Sequence, residues 1–557
     1  MTSSAAAQPT RDWVFDDAAR ARVDAIFAPW ATTSTPGMSL GIYRAGEIVY
    51  TNGYGMSNLE HGIPIVPGSI FHIASISKQF TDMSIALLQA EGALNVDDDV
   101  RQYVPEMPDF GTTITIRHLI HHVSGLRDQW ALLRMAGWRS EDLVTEDDVL
   151  DLLTRQTALN FAPNSEYLYS NTGYTLLAVI VRRVSGKTLR QFAHERIFAP
   201  LGMTSTHFHD DHREIVVGRT QAYEPRTGGG YHVSIPVFDV VGTTSLFTTV
   251  EDLAKWDANF TTAQIGGPAI IEQIQTPGTF TDGTAMTYAW GLMTGEYRGA
   301  KRVGHSGADH GYRADYLRLP EFGFTAVVLS NIADSNPGLL TQRVVDAVLG
   351  DHLAPATTFA VPTAASASAG IPPIVSATAL AGTYRAADGA SYATITSRDG
   401  VASLESWESL TLNVIGNGRF VADAAVGPAI RIEATSVQED GLVGEIAVVT
   451  PGEPTATYTR VDLPTRDADA LAAYAGEYWS DELGVAYEIV ADRVAGTLLV
   501  RRRKFADQTL TPLDADVFGR GSLAFGTIVT FARDASGTVT GFRYTAGRIR
   551  NLVFTKR

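Results

Sequence analysis

Two stretches in the C-terminal part of the chain repeat one another, and this duplication narrows the folds open to it. Ala381-Gly382-Thr383-Tyr384 is echoed by Ala475-Gly476-Glu477-Tyr478. A Gly-x-x-Tyr follows each, Gly389 to Tyr392 and Gly484 to Tyr487. The copies end alike, on Tyr458-Thr459-Arg460 and Phe554-Thr555-Lys556. Short alternating segments fill them, among them Ala486 to Val490, Thr497 to Arg501 and Ile528 to Phe531. Evenly spaced short strands between turn residues predict an antiparallel barrel or sandwich. We therefore expect two similar all-β domains, residues 374–463 and 464–557.

Residues 355–373 precede them and are mostly Ala, Ser, Thr and Pro without an apolar period, a composition suited to a linker. The block before it, residues 1–354, mixes helix-like and strand-like segments. Ser39–Arg44 and Glu47–Tyr50, joined across Ala45-Gly46, predict a hairpin. Ile73 to Glu91 predicts a helix ended by Gly92, Thr175 to Val184 a second helix, and Phe324 to Leu329 a buried strand. Mixed elements in one block imply a sheet covered by helices. At 557 residues the chain is too long for a single core in any case.

Bulk chemistry removes several functions. A net charge of −17 argues against nucleic acid or an anionic membrane as partner. The absence of cysteine excludes disulfides, thiol catalysis and cysteine-held metals. Met1 to Thr10 carries no basic cluster followed by an apolar core, and no apolar run has the length of a membrane span, so the chain reads as cytoplasmic.

Ser75-Ile76-Ser77-Lys78 opens the first helix. Residues three apart share a helix face, so the Ser75 hydroxyl and the Lys78 amine can meet. A serine nucleophile needs such a neighbour when its base is lysine rather than histidine. Lysine occurs only at Lys78, Lys187, Lys255, Lys301, Lys504 and Lys556, so a titratable amine at this spot stands out. Tyr169-Ser170-Asn171 follows a turn at Phe161-Ala162-Pro163-Asn164. A tyrosine facing a Ser–Lys pair can relay a proton, and an asparagine can hold the lysine and a substrate amide. His305-Ser306-Gly307 is the third element; a glycine on a strand edge lets a substrate backbone approach. The N–H groups of Ser75 and Ala308 are candidates for an oxyanion hole.

These three elements, in this order, resemble the serine β-lactamase and penicillin-recognising hydrolase superfamily, most closely its class C-like branch. Phe71 to Lys78, Leu119-Ile120-His121-His122-Val123-Ser124-Gly125-Leu126, Pro200-Leu201-Gly202-Met203 and Glu251 to Trp256 are similar to segments of that branch. The resemblance implies an α+β catalytic domain, an antiparallel sheet with covering helices, followed here by two lipocalin-like barrels. It implies four catalytic residues: Ser75 as nucleophile, Lys78 as its partner, Tyr169 as base or relay, and His305 lining the pocket and assisting proton transfer to the leaving group. Asn171, Ser306, Gly307 and Ala308 would contact substrate. Acylation of Ser75 and attack by water would need no metal or cofactor.

Three positions depart from the family pattern: His305 where carboxylate-binding members carry Lys, Asn164 where Gly is expected, and Gly242-Thr243-Thr244-Ser245 where relatives often have Asp-Gly. A histidine largely neutral at pH 7 weakens the case for β-lactams or a peptide C-terminus and favours esters, amides or amine-bearing substrates. The architecture resembles the D-aminopeptidase type, in which an acidic side chain from the last barrel holds the substrate amine. Asp481, Glu482, Asp514 and Asp516 are the candidates. The expected function is a serine amidohydrolase or peptidase on small molecules or short peptides; an esterase, a D,D-carboxypeptidase, a β-lactamase and a non-catalytic binding protein are the alternatives. A homodimer is left open. His207-Phe208-His209-Asp210-Asp211-His212 fits a zinc-hydrolase signature, but its place inside the serine-hydrolase block makes it read as a polar connection with surface histidines. His118, His121 and His122 read as structural.

Overall fold

The computed structural model describes residues 12–355, 375–387, 391–405, 410–416, 418–422, 430–449, 455–464, 467–520 and 526–557. Met1 to Thr10, Gly389 and all but the first residue of the linker lie outside them. The chain divides into two compact units.

The first unit is built on six antiparallel strands. These are β1 (Met38–Arg44), β2 (Glu47–Tyr54), β3 (Met293–Tyr297), β4 (Ala300–Asp309), β5 (Tyr312–Leu319) and β6 (Phe324–Ser330), in the order β3-β4-β5-β6-β1-β2. The expected hairpin is β1–β2; Ala45 and Gly46 both take positive φ in its two-residue turn. Strand β6 is buried along its whole length, as its continuous apolar run implies.

Side-chain alternation sorts the two faces of this sheet. Met38, Leu40, Ile42, Phe324, Ala326 and Val328 join a core with Val23 and Phe27 of α1 (Asp17–Phe27). Burying each large side chain there contributes about 1.5–3 kcal/mol. The other face meets the Val250–Thr262 helix. Tyr43 donates to Val250 O, and Asp257 accepts from Tyr316, Arg318 and Thr325 at 2.8 Å each. Helices α2 (Lys78–Ala90) and α3 (Asn171–Ser185) pack on one another, and α4 (Pro337–Leu349) joins the α1 face of the sheet through Leu340, Val344 and Val345. Helix α2 starts later than expected: Ala74–Ser77 form a 3-10 turn. Ala74 has φ +49, and Ser77 donates to Ala74 O while accepting from Leu246 N–H, which holds the tighter turn. Helix α3 begins at Asn171, ahead of the expected start, and ends at Gly186 in the left-handed region. Among the described residues no helix is long and apolar enough to cross a membrane.

The second unit contains two closed eight-stranded antiparallel barrels. The repeated motif lies on the closing seam of each, where the first strand pairs with the last: Tyr384 opposite Arg460, and Tyr478 opposite Lys556. Each tyrosine donates to a carbonyl four residues back, Leu380 O at 2.6 Å and Tyr474 O at 2.7 Å. The cation of the last strand lies over that ring, at 4.9 Å in the first barrel and 5.6 Å in the second. It crosses the α-carbon of the motif glycine, so a Cβ on Gly382 would fall 2.0 Å from Arg460 and one on Gly476 2.9 Å from Lys556. Gly-x-Tyr at one end of a copy and a cation at the other are thus one packing device.

Residues Arg127–Arg139 and Asp151–Asn160, which precede the barrels by more than two hundred positions, group with this second unit. Tyr487 donates to Met135 O at 2.8 Å, and Asn160 exchanges hydrogen bonds with the backbone of Arg548 and Arg550. Arg127, 1% exposed, pairs with Glu482, 4% exposed.

Candidate active site

Within the buried run Phe71–Phe80, Ser75 alone is partly open. The 3-10 turn that carries it is pinned at its entry, where Ala74 N–H donates to His72 Nδ1 at 3.2 Å and Ile73 N–H to Leu246 O at 3.0 Å. A residue held at positive φ beside a candidate nucleophile is the kind of stored strain that functional turns carry.

Lys78, fully buried, is the centre of the polar constellation. Its Nζ lies 3.2 Å from Ser75 Oγ, 3.1 Å from Asn171 Oδ1 and 2.6 Å from the Thr243 carbonyl. Asn171 Oδ1 and Thr243 O can only accept. Nζ thus meets two fixed acceptors and the Ser75 hydroxyl, and once it has given up a proton its lone pair is free to face that hydroxyl. Thr243 Oγ1 also donates to Asn171 Oδ1, so the Gly242–Ser245 departure supplies the wall that fixes both partners of the lysine. One turn along α2, the buried Asp82 bonds Tyr174 OH at 2.6 Å, and burial pushes its carboxyl well above the usual range.

The Tyr169 ring stands 4.8 Å from Lys78 Nζ. Its loop is positioned by His122, whose Nδ1 accepts from Ser170 N–H at 3.1 Å and whose ring lies 4.0 Å from that of Tyr169. A histidine read from sequence as structural is thus what aims the tyrosine. Asn164 has φ +64, a conformation asparagine tolerates nearly as well as glycine, which accounts for that departure.

Strand β4 closes the other side. Strand β3 covers it only to Gly304, and from there the edge runs past the nucleophile turn. A Cβ on Gly307 would fall 2.3 Å from Ile73 O and 3.1 Å from Ala74 Cβ. Period-two alternation sends His305, Gly307 and Asp309 to the site face and Ser306 to the opposite one. The Ser306 hydroxyl accordingly donates to Asp315 at 2.6 Å, away from Ser75. Ala308 is exposed on the Ser306 side. His305 is 4% exposed, and burial, aided by the Lys78 charge, lowers its pKa to about 3. Its Nδ1 faces its neighbour's carbonyl, Ser306 O, at 2.6 Å, and Nε2 lies 3.1 Å from Tyr288 OH. Since the carbonyl only accepts, Nδ1 carries the hydrogen and Nε2 accepts from Tyr288. The ring is neutral, as its replacement of lysine implied.

Sequence reasoning passed over Asp309. Its Oδ2 accepts from Thr244 Oγ1 at 2.8 Å, and its Oδ1 lies 2.8 Å from His310 Nδ1. Burial opposes its charge, but the His310 hydrogen bond and the His72 and His310 charges bring its pKa down to about 2. The site face of β4 therefore offers a neutral imidazole and, four residues on, a fixed anion.

The four barrel carboxylates have partners inside the second unit. Glu482 accepts from Arg127 and from Thr157 N–H at 3.0 Å. Asp481 accepts from the Trp479 indole, Asp514 pairs with Arg385 at 3.2 Å, and Asp516 meets Tyr474 OH and Arg533.

The sequence profile of the Beta-lactamase family matches residues 15–350. A penicillin-binding protein of Bacillus subtilis is 30% identical over 309 residues, 52% of this chain and 66% of its own length. A protein named D-aminopeptidase from Brucella canis is 28% identical over 316 residues, 57% of this chain and 60% of its own. The chain thus spans less than two thirds of the length of either. Among solved structures, the octameric penicillin-binding protein homologue from Pyrococcus abyssi superposes with a TM-score of 0.55 at 22% identity, covering 79% of this chain and 99% of that one. At that identity the likeness is one of fold.

Proposed function

The chain belongs to the Beta-lactamase family, and on that premise we propose that it is a serine hydrolase working through an acyl-enzyme on small amides or short peptides, in the manner of a D-aminopeptidase. The observation that carries this reading is the buried Lys78 amine, aimed at Ser75 Oγ by two acceptor-only partners. Ser75 Oγ attacks the substrate carbonyl, its proton passes to Lys78, and Tyr169, in the role the family resemblance implies, relays it to the leaving amine. The Ser75 and Ala308 N–H groups receive the oxyanion. Water then repeats the sequence on the ester and restores Ser75. His305, neutral and with both ring nitrogens engaged, lines the pocket rather than moving the proton.

The charges favour an amine over a carboxylate on the substrate. His305 supplies no cation where a carboxylate would need one, and Asp309 holds an anion on the same strand face. Asp309 takes the anchoring role that the sequence suggested for a barrel acid. Small substrates, a cytoplasmic location and an open choice between monomer and homodimer belong to the same reading.

The test is steady-state hydrolysis of D- and L-alanine p-nitroanilide, p-nitrophenyl acetate and nitrocefin, with Ser75→Ala and Lys78→Met as controls. Preference for the D-anilide, lost in both variants, is the expected result. Turnover of the acetate alone would move the reading to an esterase, and activity that survives Ser75→Ala would overturn the mechanism.

A further inference from the structure

The segment His207 to His212 is not the exposed connection that its polarity suggests. His207–Phe208 forms a short strand against Leu246–Thr248, and His209 N–H extends the ladder to Ser245 O at 2.8 Å. Alternation on a strand puts His207 and His209 on one face, where both rings rest on Phe247, at 5.8 and 4.8 Å between centroids. The chain then turns back, Glu214 N–H donating to Asp211 O at 3.0 Å, and brings the Glu214 carboxylate to the two imidazoles. One ring nitrogen of each histidine and one Glu214 oxygen lie within 4.8 Å of one another.

His209 is 5% exposed, and neither of its ring nitrogens has a hydrogen-bond partner among the described residues; His207 Nε2 is buried in the same condition. Native interiors rarely leave imidazole nitrogens so, because an unpaired buried polar atom costs free energy. The carboxylate is prepared as well. Arg190 grips both Glu214 oxygens, at 2.5 and 2.8 Å, and reaches Asp210 at 2.9 Å. Such outer groups orient ligands and keep them ionised in metal sites.

We propose that His207, His209 and Glu214 bind a divalent transition-metal ion, zinc by the chemistry of the donor set. Two neutral imidazoles and one carboxylate suit zinc, with water in the fourth position. Bonds of about 2.1 Å require the three atoms to draw in to about 3.4 Å apart, a shift side-chain rotation can supply. Arg190 stays on the Glu214 oxygen that the ion leaves free. The neighbouring Asp211, His212 and Asp239 are a poorer choice: His212 Nδ1 already bonds Asp239 at 2.9 Å, and Asp211 is taken by Arg213. The ion's place suggests a brace. Leu246–Thr248 pairs on one side with His207–Phe208 and on the other with Phe71–His72, the lead-in to Ser75.

The test uses tag-free, full-length protein stripped with EDTA and titrated with zinc sulfate against a chromophoric chelator, with metal content read by mass spectrometry. One equivalent per chain is expected, with a raised Tm. His209→Asn and Glu214→Gln should each weaken binding at least tenfold and abolish the Tm rise, while His212→Asn leaves both unchanged. Glu214 has a side chain 36% exposed, so its variant keeps the test valid should the His209 change fail to fold. Substoichiometric zinc, binding unaffected by Glu214→Gln, or binding lost in His212→Asn would each overturn the proposal.

Discussion

Replacing Gly307 by alanine tests how closely β4 must approach the nucleophile turn. The added Cβ would stand 2.3 Å from Ile73 O, a backbone atom that no rotamer change can move. Ordinary contact begins near 3.4 Å, so strand or turn must give by about 1 Å. Overpacking of that kind costs about 1–3 kcal/mol of stability. A displacement of about 1 Å between reacting groups can cost about a hundredfold in rate. The shift falls between Ser75 and the strand that faces it, so kcat/KM should drop by about that factor while the unit still folds. Gly295→Ala is the control. It lies on β3 of the same sheet, and among the described residues no atom comes within 4 Å of its Cβ. The assay is kcat/KM on the best anilide or ester, with thermal unfolding in parallel. Unchanged kcat/KM in a folded Gly307→Ala protein would refute the argument that Ser75 works against β4.

Three further outcomes follow from the charges. Asp82 has its folded-state pKa raised, so the folded protein holds a proton that the unfolded chain loses, and stability falls as pH rises above the ordinary carboxylate range. Asp82→Asn removes that slope, and its stability relative to the parent in urea unfolding should improve from pH 5 to pH 8; an equal gap at both would contradict it. Glu482→Ala leaves the Arg127 guanidinium buried without its counter-charge, which should weaken the second unit by about 3–5 kcal/mol, read by hydrogen exchange in the Val485–Asp492 strand. Asp309→Asn should raise KM for free-amine substrates about tenfold or more, the loss of one charge-assisted hydrogen bond, and leave N-acylated analogues unchanged; equal effects on both would remove Asp309 from substrate recognition.

What the sequence made legible was local. Ser75 and Lys78 sit three residues apart, and helical spacing alone brings them together. The barrel motif was visible because the packing it serves occurs twice. The misreadings concern what alternation or distant pairing decides. Ser306 was placed with the substrate contacts because it stands inside a motif, yet His305 and Gly307 on the site face require Ser306 to face Asp315, a parity the sequence already contained. Thr243 acts through its carbonyl, which every residue possesses, so no residue type could announce it. Tyr288 lies in no motif and matters only because it meets His305.

Two polar groups stand in surroundings that the sequence does not reveal, for a shared reason. Glu482 was a candidate for holding a substrate amine, and His209 was read as a surface residue. Both are buried, and a buried polar group answers to a partner that sequence position does not reveal. For Glu482 the partner is Arg127, 355 positions earlier in the chain. For the His209 ring the described residues offer neighbours but no hydrogen bond. The same physical rule therefore separates the two: Glu482 is buried against the permanent charge of Arg127, whereas the buried His209 ring and its half-buried neighbour His207, beside an oriented carboxylate, call for a ligand, and that is why the metal test belongs to the histidines.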